Sequence, residues 1–245
     1  MIKAGIIQTK TYSTNKEGIH SISNFLKKLG KIKTEIVCLP EQWLKNNKID
    51  DFDSEFLEFK RIAKKYQMTV IPGAFYTKVD GEEKIVAPII GPDGDIVGNQ
   101  EKIHPFDYEN QKIVAGKELK IFNAGCKFGI VICYDMVFPK VAETFVKKGA
   151  KILFSPSRIV KRGINPWEIY VQARSLENRV PIFASNVISQ KYGGNSMFVD
   201  LIEMGKVMIP KVTKIKRAGH IVKQIDLKKF EESRRKRYLD SRTFF

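Results

Sequence analysis

The chain has 245 residues, which suits one large domain or two small ones, and we expect a single domain over residues 1–245. A hydrophobic content of 43% and a charged content of 29% exclude disordered, collagen-like and coiled-coil architectures. The net charge is +16. No apolar stretch approaches the ~20 residues of a membrane helix, and the start MIKAGIIQTK lacks the long hydrophobic region of a signal peptide. We therefore expect a cytoplasmic protein without a membrane partner.

The first third of the chain alternates strands with helices. Strands are predicted at residues 2–8, 36–41 and 68–75. Thr14 and Glu17 form a capping box that opens a helix to about Leu29, and Ser54 leads a second helix with apolar residues at helical spacing. This βαβαβ order predicts a sheet with helices packed against it.

From Lys84 onward the pattern changes to strands without helices, and then strands and helices alternate again. A hairpin is predicted from 84–90 and 95–102 around the turn GPDGD. Later strands are predicted at 128–133, 151–156 and 180–186, and helices at 138–149 and 164–178. In the second of these helices we expect Asn165 as N-cap and Pro166 at the first position. Residues from 194 to 225 read as a β-rich end, followed by a terminal helix or tail.

The basic residues concentrate near the end of the chain. Residues 206–237 hold twelve Lys or Arg against three acidic residues, a net +9. The same segment has one aromatic residue, Phe230, and therefore lacks the stacking platform expected for binding single-stranded nucleic acid. We favour a solvated basic surface over a nucleic-acid site at this basic β-rich end, about residues 206–245, so we do not expect nucleic acid as a partner.

Three residues that suit chemistry lie at predicted strand ends: Glu41, Lys102 and Cys133. Ligands of open α/β sheets collect at strand ends, so these side chains can meet although they are far apart in sequence. Taken singly, each also fits an ordinary structural role, as a solvated charge or a buried thiol. The odd cysteine count, without a CxxC pair, and the scattered histidines predict neither a disulfide framework nor a zinc site, so we expect no metal and no cofactor.

Six stretches, taken together, resemble the nitrilase, or carbon-nitrogen hydrolase, superfamily, in its order along the chain. They are LPEQW around Glu41, EKIHPFDYE with Lys102, VICYDMVFP around Cys133, NPWE at 165–168, ARSLEN at 173–178 and GNSMFVD at 194–200. The resemblance runs from the first strand to about Asp200, and RYLDSRTFF at 237–245 is similar to the family's ending.

This resemblance implies a four-layer αββα sandwich and a Glu-Lys-Cys triad. Glu41 would be general base and acid, Lys102 the oxyanion stabiliser and Cys133 the nucleophile. Glu109 matches a second glutamate that assists in many members. The sequence departs from the family pattern in two places: in KIVAGKEL at 112–119, which follows Glu109, and at Lys140 after Phe-Pro.

The chemistry also follows from the residue types. An amide is hydrolysed more easily through a thioester, which divides the reaction into two steps. We expect Lys102 to lower the pKa of Cys133, and Glu41 to move the proton from the thiol to the departing ammonia. The backbone N–H of Tyr134 joins Lys102 where negative charge develops on the oxygen.

Several other residues have structural interpretations. Trp167 and Tyr170 are expected to pack in the core or an interface, and Arg174 with Glu177 reads as an exposed helix pair. The resemblance implies that this helix lies in a dimer interface, so a homodimer or higher homo-oligomer is expected. Cys38, Cys126 and His104 are expected to be inert, with His104 a satisfied polar residue beside Lys102.

The predicted function is hydrolysis of a small linear amide or carbamoyl compound with release of ammonia. Tyr134-Asp135 after Cys133 is similar to the amidase and carbamoyl-hydrolase branches, whereas nitrilases commonly have Trp-Glu there, so nitrile hydrolysis is the alternative. A non-catalytic, nucleic-acid-associated protein is the alternative of another class. Arg158, in the loop SPSRIVKRG, is a candidate to bind a substrate carboxylate, against the simpler view that the loop is basic because the whole protein is.

Overall fold

Two β-sheets stacked face to face form the centre of the molecule in the computed structural model, which describes residues 1–240. The strands are β1 (Ile2–Lys10), β2 (Ile36–Cys38), β3 (Thr69–Ile71), β4 (Phe75–Val79), β5 (Glu82–Ile90), β6 (Ile96–Glu101), β7 (Phe122–Asn123), β8 (Lys127–Ile130), β9 (Ile152–Pro156), β10 (Ile182–Ser185), β11 (Val187–Ile188), β12 (Met197–Met204), β13 (Val207–Lys214) and β14 (Gly219–Ile225). The first sheet has the order β11-β1-β2-β3-β5-β4, with β14 also paired to β1 and β6 to β5. The second has the order β13-β12-β10-β9-β8-β7.

Helices cover the outer face of each sheet. They are α1 (Asn15–Lys31), α2 (Phe52–Glu55), α3 (Leu57–Tyr66), α4 (Pro139–Lys147), α5 (Ile164–Asn178) and α6 (Glu231–Leu239). Helices α1 and α3 pack on the first sheet, and α4 and α5 on the second. The predicted αββα sandwich is therefore confirmed. None of the helices within residues 1–240 is long and apolar enough to cross a membrane.

The strands separate three apolar cores because successive side chains point to opposite faces of a sheet. In β1, Ala4 and Ile6 enter the core between the sheets, while Ile7 packs under the helices of the first sheet. After β8, Ile132 enters the core between the sheets and Val131 packs under α4 and α5. A run that is apolar at every position therefore marks a strand buried on both faces.

The first helix begins as predicted. Thr14 is its N-cap and accepts a hydrogen bond from the backbone N–H of Glu17. The second predicted helix is corrected: it starts at Phe52 with Asp51 as N-cap, not at Ser54, and it is interrupted at Phe56 between α2 and α3. Aspartate and serine are both favoured at the N-cap, because both side chains accept a hydrogen bond from the first helical turn. The sequence therefore offers Asp51 as well as Ser54.

Two further boundaries differ from prediction. The stretch 68–75 is not one strand, because Gly73 has φ of +116° and separates β3 from β4. The hairpin of β5 and β6 is confirmed, and β4 adds a second antiparallel hairpin with β5. Helix α5 starts at Ile164 after a 3₁₀ turn, with Gly163 at the N-cap position in place of Asn165. Residues 241–245 of the segment 237–245 lie outside the described residues.

Candidate active site

Glu41, Lys102 and Cys133 come from different strands and lie together between the sheets. Glu41 follows β2, and its N–H donates to the carbonyl oxygen of Ser157 at 3.3 Å. Lys102 follows β6, and its backbone N–H donates to the carbonyl oxygen of Ile85 at 2.8 Å. Cys133 follows β8 and begins a 3₁₀ turn over Cys133–Val137. The predicted meeting of the three strand ends is therefore present in the structure.

Two carboxylates hold the Lys102 ammonium in a buried array. Lys102 Nζ lies 3.0 Å from Glu41 Oε1 and 2.7 Å from Glu109 Oε2. The three residues are only 2%, 1% and 2% exposed in the order Glu41, Lys102, Glu109. Burial lowers the pKa of Lys102, but the neighbouring Glu41, Cys133 and Glu109 raise it more, so the amine stays protonated.

Glu109, the predicted second glutamate, is fixed from two sides. Its Oε2 accepts the Lys102 ammonium and also the backbone N–H of Phe106 at 2.7 Å. Burial, followed by the charge of Glu41, raises the pKa of Glu109, while the bonds from Lys102 and Phe106 lower it in part. Glu109 therefore belongs to the array even though the sequence after it departs from the family pattern.

The Cys133 thiol has a raised pKa, contrary to the sequence-based expectation. Burial is the largest cause, and the Glu41 carboxylate beside the thiol adds to it, whereas Lys102 and the backbone of Arg158 act in the opposite direction. The lysine charge is shared with two carboxylates and so lowers the thiol pKa less than burial raises it. The resting state is therefore a neutral thiol beside a carboxylate that can accept its proton.

The turn at Cys133 has unusual backbone geometry. Cys133 has φ of +48°, in the left-handed region that residues other than glycine seldom adopt. Such positions cost on the order of 1–3 kcal/mol and persist where surrounding contacts impose them. The turn places the thiol at the end of β8 instead of within the strand, which corrects the prediction of a strand through residue 133.

Arg174 on α5 supplies one of these contacts. Its Nε and Nη2 donate to the carbonyl oxygens of Met136 and Val137 at 3.2 and 2.8 Å, and Nη1 reaches Glu177 at 2.8 Å. The arginine is 5% exposed, so the prediction of an exposed pair with Glu177 was wrong. The reason is tertiary, because the carbonyls that accept from Arg174 lie 37 and 38 residues earlier in the chain.

Asp135 connects the same turn to the segment after Lys102. Its carboxylate accepts the backbone N–H groups of Ile103 and His104 at 3.2 and 2.7 Å. The His104 ring nitrogen lies 2.9 Å from the same carboxylate, and the ring stacks on Phe138 at 3.7 Å. The expected satisfied His104 is found, and Asp135 couples the position of Cys133 to that of Lys102.

The backbone N–H of Tyr134 is available to a ligand, since it has no acceptor among residues 1–240. It follows directly on the candidate nucleophile, as an oxyanion donor requires. Aromatic rings flank this position: Tyr134 contacts Phe106 and Phe138 edge to face, with ring centroids 5.0 and 5.3 Å apart.

Arg158 lies beside the array, as its sequence position in the loop after β9 suggested. Its Nη1 donates to Gln42 Oε1 at 2.7 Å, and its guanidinium lies 4.6 Å from the centroid of the Tyr192 ring. The backbone of Arg158 neighbours the Cys133 sulfur. Gln42 was not singled out from the sequence, although it follows Glu41 directly in LPEQW.

The other two cysteines are buried away from this array. Burial raises the pKa of Cys38 to about 12 and that of Cys126 to about 11. Cys38 points into the core between the sheets, where its sulfur contacts Leu39 and Ser185. Among residues 1–240, no group of three or more His, Cys, Asp or Glu side chains is arranged to hold a metal ion.

Ten of the twelve basic residues in 206–237 are exposed, as a solvated basic surface requires, while Lys223 is half-buried and Arg234 is buried. Lys214 and Lys229 pair with Glu168 and Asp200, and the buried Arg234 donates to the Arg179 carbonyl oxygen. Trp167 packs in the core between α5 and the second sheet, as expected.

Similarity to known proteins agrees with the observed fold. The carbon-nitrogen hydrolase family model matches residues 3–235. The omega-amidase NIT2-B of Xenopus laevis is 25% identical over 199 residues, covering 73% of this chain and 71% of the relative.

Two solved structures share the fold. A carbon-nitrogen hydrolase from Helicobacter pylori G27 superposes with a TM-score of 0.84 at 24% identity, covering 98% of this chain and 95% of the other. An amidase from Nesterenkonia sp. AN1, whose structure shows the result of Michael addition of acrylamide at the active site cysteine, has a TM-score of 0.77 at 14% identity, covering 97% of this chain and 100% of the other.

The fold and the family match together define an enzyme that hydrolyses carbon–nitrogen bonds. The chain belongs to the carbon-nitrogen hydrolase family, and the resemblance seen in its sequence motifs is confirmed.

Proposed function

We propose that this enzyme hydrolyses the C–N bond of a small linear amide or carbamoyl compound through a cysteine thioester and releases ammonia. The observation that carries the proposal is the buried Glu41–Lys102–Glu109 array beside the Cys133 thiol. Relatives named omega-amidase and amidases of the same fold support an amide substrate.

The first half of the reaction forms the thioester. Glu41 takes the proton from the Cys133 sulfur as the sulfur attacks the carbonyl carbon, which suits a thiol whose raised pKa keeps it neutral at rest. The carbonyl oxygen becomes an oxyanion that receives hydrogen bonds from Lys102 and the N–H of Tyr134. When the oxyanion collapses, the C–N bond breaks and protonated Glu41 gives its proton to the departing nitrogen, releasing ammonia.

The second half returns the enzyme to its starting state. Water attacks the thioester carbon as Glu41 takes one of its protons, and Lys102 and Tyr134 again stabilise the oxyanion. The C–S bond then breaks, the acid product leaves, and the sulfur recovers its proton from Glu41. Glu109 holds the Lys102 ammonium in place throughout, through the 2.7 Å bond.

The alternative function is hydrolysis of a nitrile by the same residues.

We also propose a homodimer that forms through the α5 region, where Ile169 is 65% exposed. Light scattering would measure the oligomeric state. The cytoplasmic location stays a prediction.

The decisive experiment mixes the enzyme with a panel of amides, carbamoyl compounds and nitriles and measures ammonia release and intact mass. A mass increase equal to the acyl group is expected in the wild type and is expected to be absent from Cys133→Ala. The variant should keep its melting temperature within a few degrees, since one sulfur is removed. Turnover by Cys133→Ala at the wild-type rate would contradict the thioester route.

A further inference from the structure

Gln42 and Arg158 form a rigid pair at the edge of the array. Gln42 is 4% exposed, and its side-chain oxygen accepts Arg158 Nη1 at 2.7 Å. The guanidinium lies over the Tyr192 ring at 4.6 Å, and that ring is itself buried. The pair is thus fixed before any substrate arrives, which lowers the entropy lost on binding.

Both members of the pair carry a buried donor without an acceptor. Arg158 Nε and Gln42 Nε2 are shielded from solvent, and neither makes a hydrogen bond to the part of the chain that the structure describes. The Gln42 amide lies near the Tyr76 hydroxyl without a bond of normal geometry. Buried donors are nearly always satisfied in native proteins, so two neighbouring exceptions indicate a missing acceptor.

The missing acceptor is expected to be an anion because of the charges nearby. No carboxylate of residues 1–240 lies within ion-pair distance of the Arg158 guanidinium, and its side-chain partner is the neutral Gln42. The nearby carboxylates of Glu41 and Glu109 are instead paired with Lys102. A planar guanidinium with donors free is suited to binding a carboxylate through two hydrogen bonds.

The pair also lies next to the groups that would react. Gln42 follows Glu41 in the chain, and the backbone of Arg158 neighbours the Cys133 sulfur. We propose that Arg158 and Gln42 bind a substrate carboxylate, and that the preferred substrates are short aliphatic amides with a carboxylate at the end remote from the scissile amide. This proposal rests on the proposed amide hydrolysis and specifies its substrate class.

A general basic loop is a different explanation, and the same loop provides the control for it. Lys161 and Arg162 are both exposed, unlike the half-buried Arg158. If net charge alone attracted anionic amides, removing the Arg162 charge would matter as much as removing that of Arg158.

The test compares amides of equal chain length with and without the terminal carboxylate: succinamate with butyramide, glutaramate with pentanamide and adipamate with hexanamide. The wild type should show a kcat/KM about 10- to 100-fold higher for the carboxylates, as hydrogen bonds to a charged group provide. Arg158→Ala should bring the ratio of the two classes close to one, and Arg162→Ala should leave the ratio at its wild-type value. Gln42→Glu should also abolish the preference, because the new carboxylate pairs with Arg158.

A wild-type enzyme that hydrolyses neutral amides equally well or better would overturn the carboxylate site and leave amide hydrolysis standing. Equal losses on both classes in Arg158→Ala would also overturn it. If no amide were hydrolysed, the proposed function would fail. Calorimetry of glutarate binding to Cys133→Ala would then test the carboxylate site independently of turnover. Binding that Arg158→Ala removes and Arg162→Ala retains would support the site, and absence of binding would refute it.

Discussion

Replacing Lys102 by methionine should destabilise the protein in a strongly pH-dependent way. The substitution keeps an unbranched side chain and removes the ammonium that lies 3.0 Å from Glu41 and 2.7 Å from Glu109. Two buried carboxylates then face each other without a counter-charge. Breaking a buried ion pair by removing one partner costs about 3–5 kcal/mol. For a domain of this size, ~2–4 °C per kcal/mol predicts a fall in melting temperature of about 6–20 °C near neutral pH.

The fall in melting temperature should be smaller at acidic pH, and the direction of this pH dependence follows from Glu109. The pKa of Glu109 is already raised by burial, and Lys102 is among the groups that lower it, so the variant raises it further. A carboxyl whose pKa is higher in the folded state costs nothing below its unfolded pKa, where it is protonated in both states. The cost grows as the pH rises from the unfolded pKa towards the folded pKa, and it is complete above the folded pKa. We therefore expect a larger deficit at pH 7.5 than at pH 5.

Thermal and urea unfolding followed by circular dichroism at the two pH values measures this effect. Lys48→Met is the matched control, because Lys48 pairs with Glu83 at the surface and its loss should leave the melting temperature unchanged. Lys102→Met combined with Glu109→Gln should recover part of the loss at pH 7.5, since one carboxylate is removed. An equal fall in melting temperature at both pH values would refute the electrostatic argument and indicate that lost packing is the cause.

Two further substitutions test the chemistry and the turn. Glu41→Gln should lower turnover by several orders of magnitude, because the group that accepts the Cys133 proton is lost. The same substitution should speed alkylation of Cys133 by iodoacetamide at pH 7–8, because the Glu41 carboxylate raises the pKa of the thiol. Unchanged or slower alkylation would refute this electrostatic effect of Glu41 on the thiol. Arg174→Met leaves the carbonyl oxygens of Met136 and Val137 without their donor, which costs about 1–3 kcal/mol for each buried group, and it should lower kcat more than it changes KM. An unchanged kcat would show that the turn holds its geometry without Arg174.

The sequence predicted the elements whose signals are local. Thr14 and Glu17 cap the first helix as their spacing indicates, and the Pro-Asp-Gly turn gives the expected hairpin. The meeting of Glu41, Lys102 and Cys133 was predictable from their common position at strand ends, reinforced by the family motifs.

Other features depend on partners that are distant in sequence. Arg174 looked like half of a surface pair because its helix neighbour Glu177 is visible in the sequence, whereas its backbone acceptors are not. The pKa of Cys133 was expected to fall because Lys102 was counted without the burial that two stacked sheets impose. The unsatisfied donors of Gln42 and Arg158 belong to residues 116 positions apart and are apparent only in the folded chain.

The candidate acid–base group and the candidate nucleophile stand on opposite sheets, since Glu41 and Lys102 follow strands of the first and Cys133 a strand of the second. The distance from sulfur to carboxylate is therefore set by the thickness of the apolar layer between the sheets. Phe154 and Phe183, whose rings stack 5.5 Å apart, belong to that layer. We therefore expect substitutions that change the volume of this layer to alter the reaction rate as well as stability, and substitutions beneath the outer helices to alter chiefly stability.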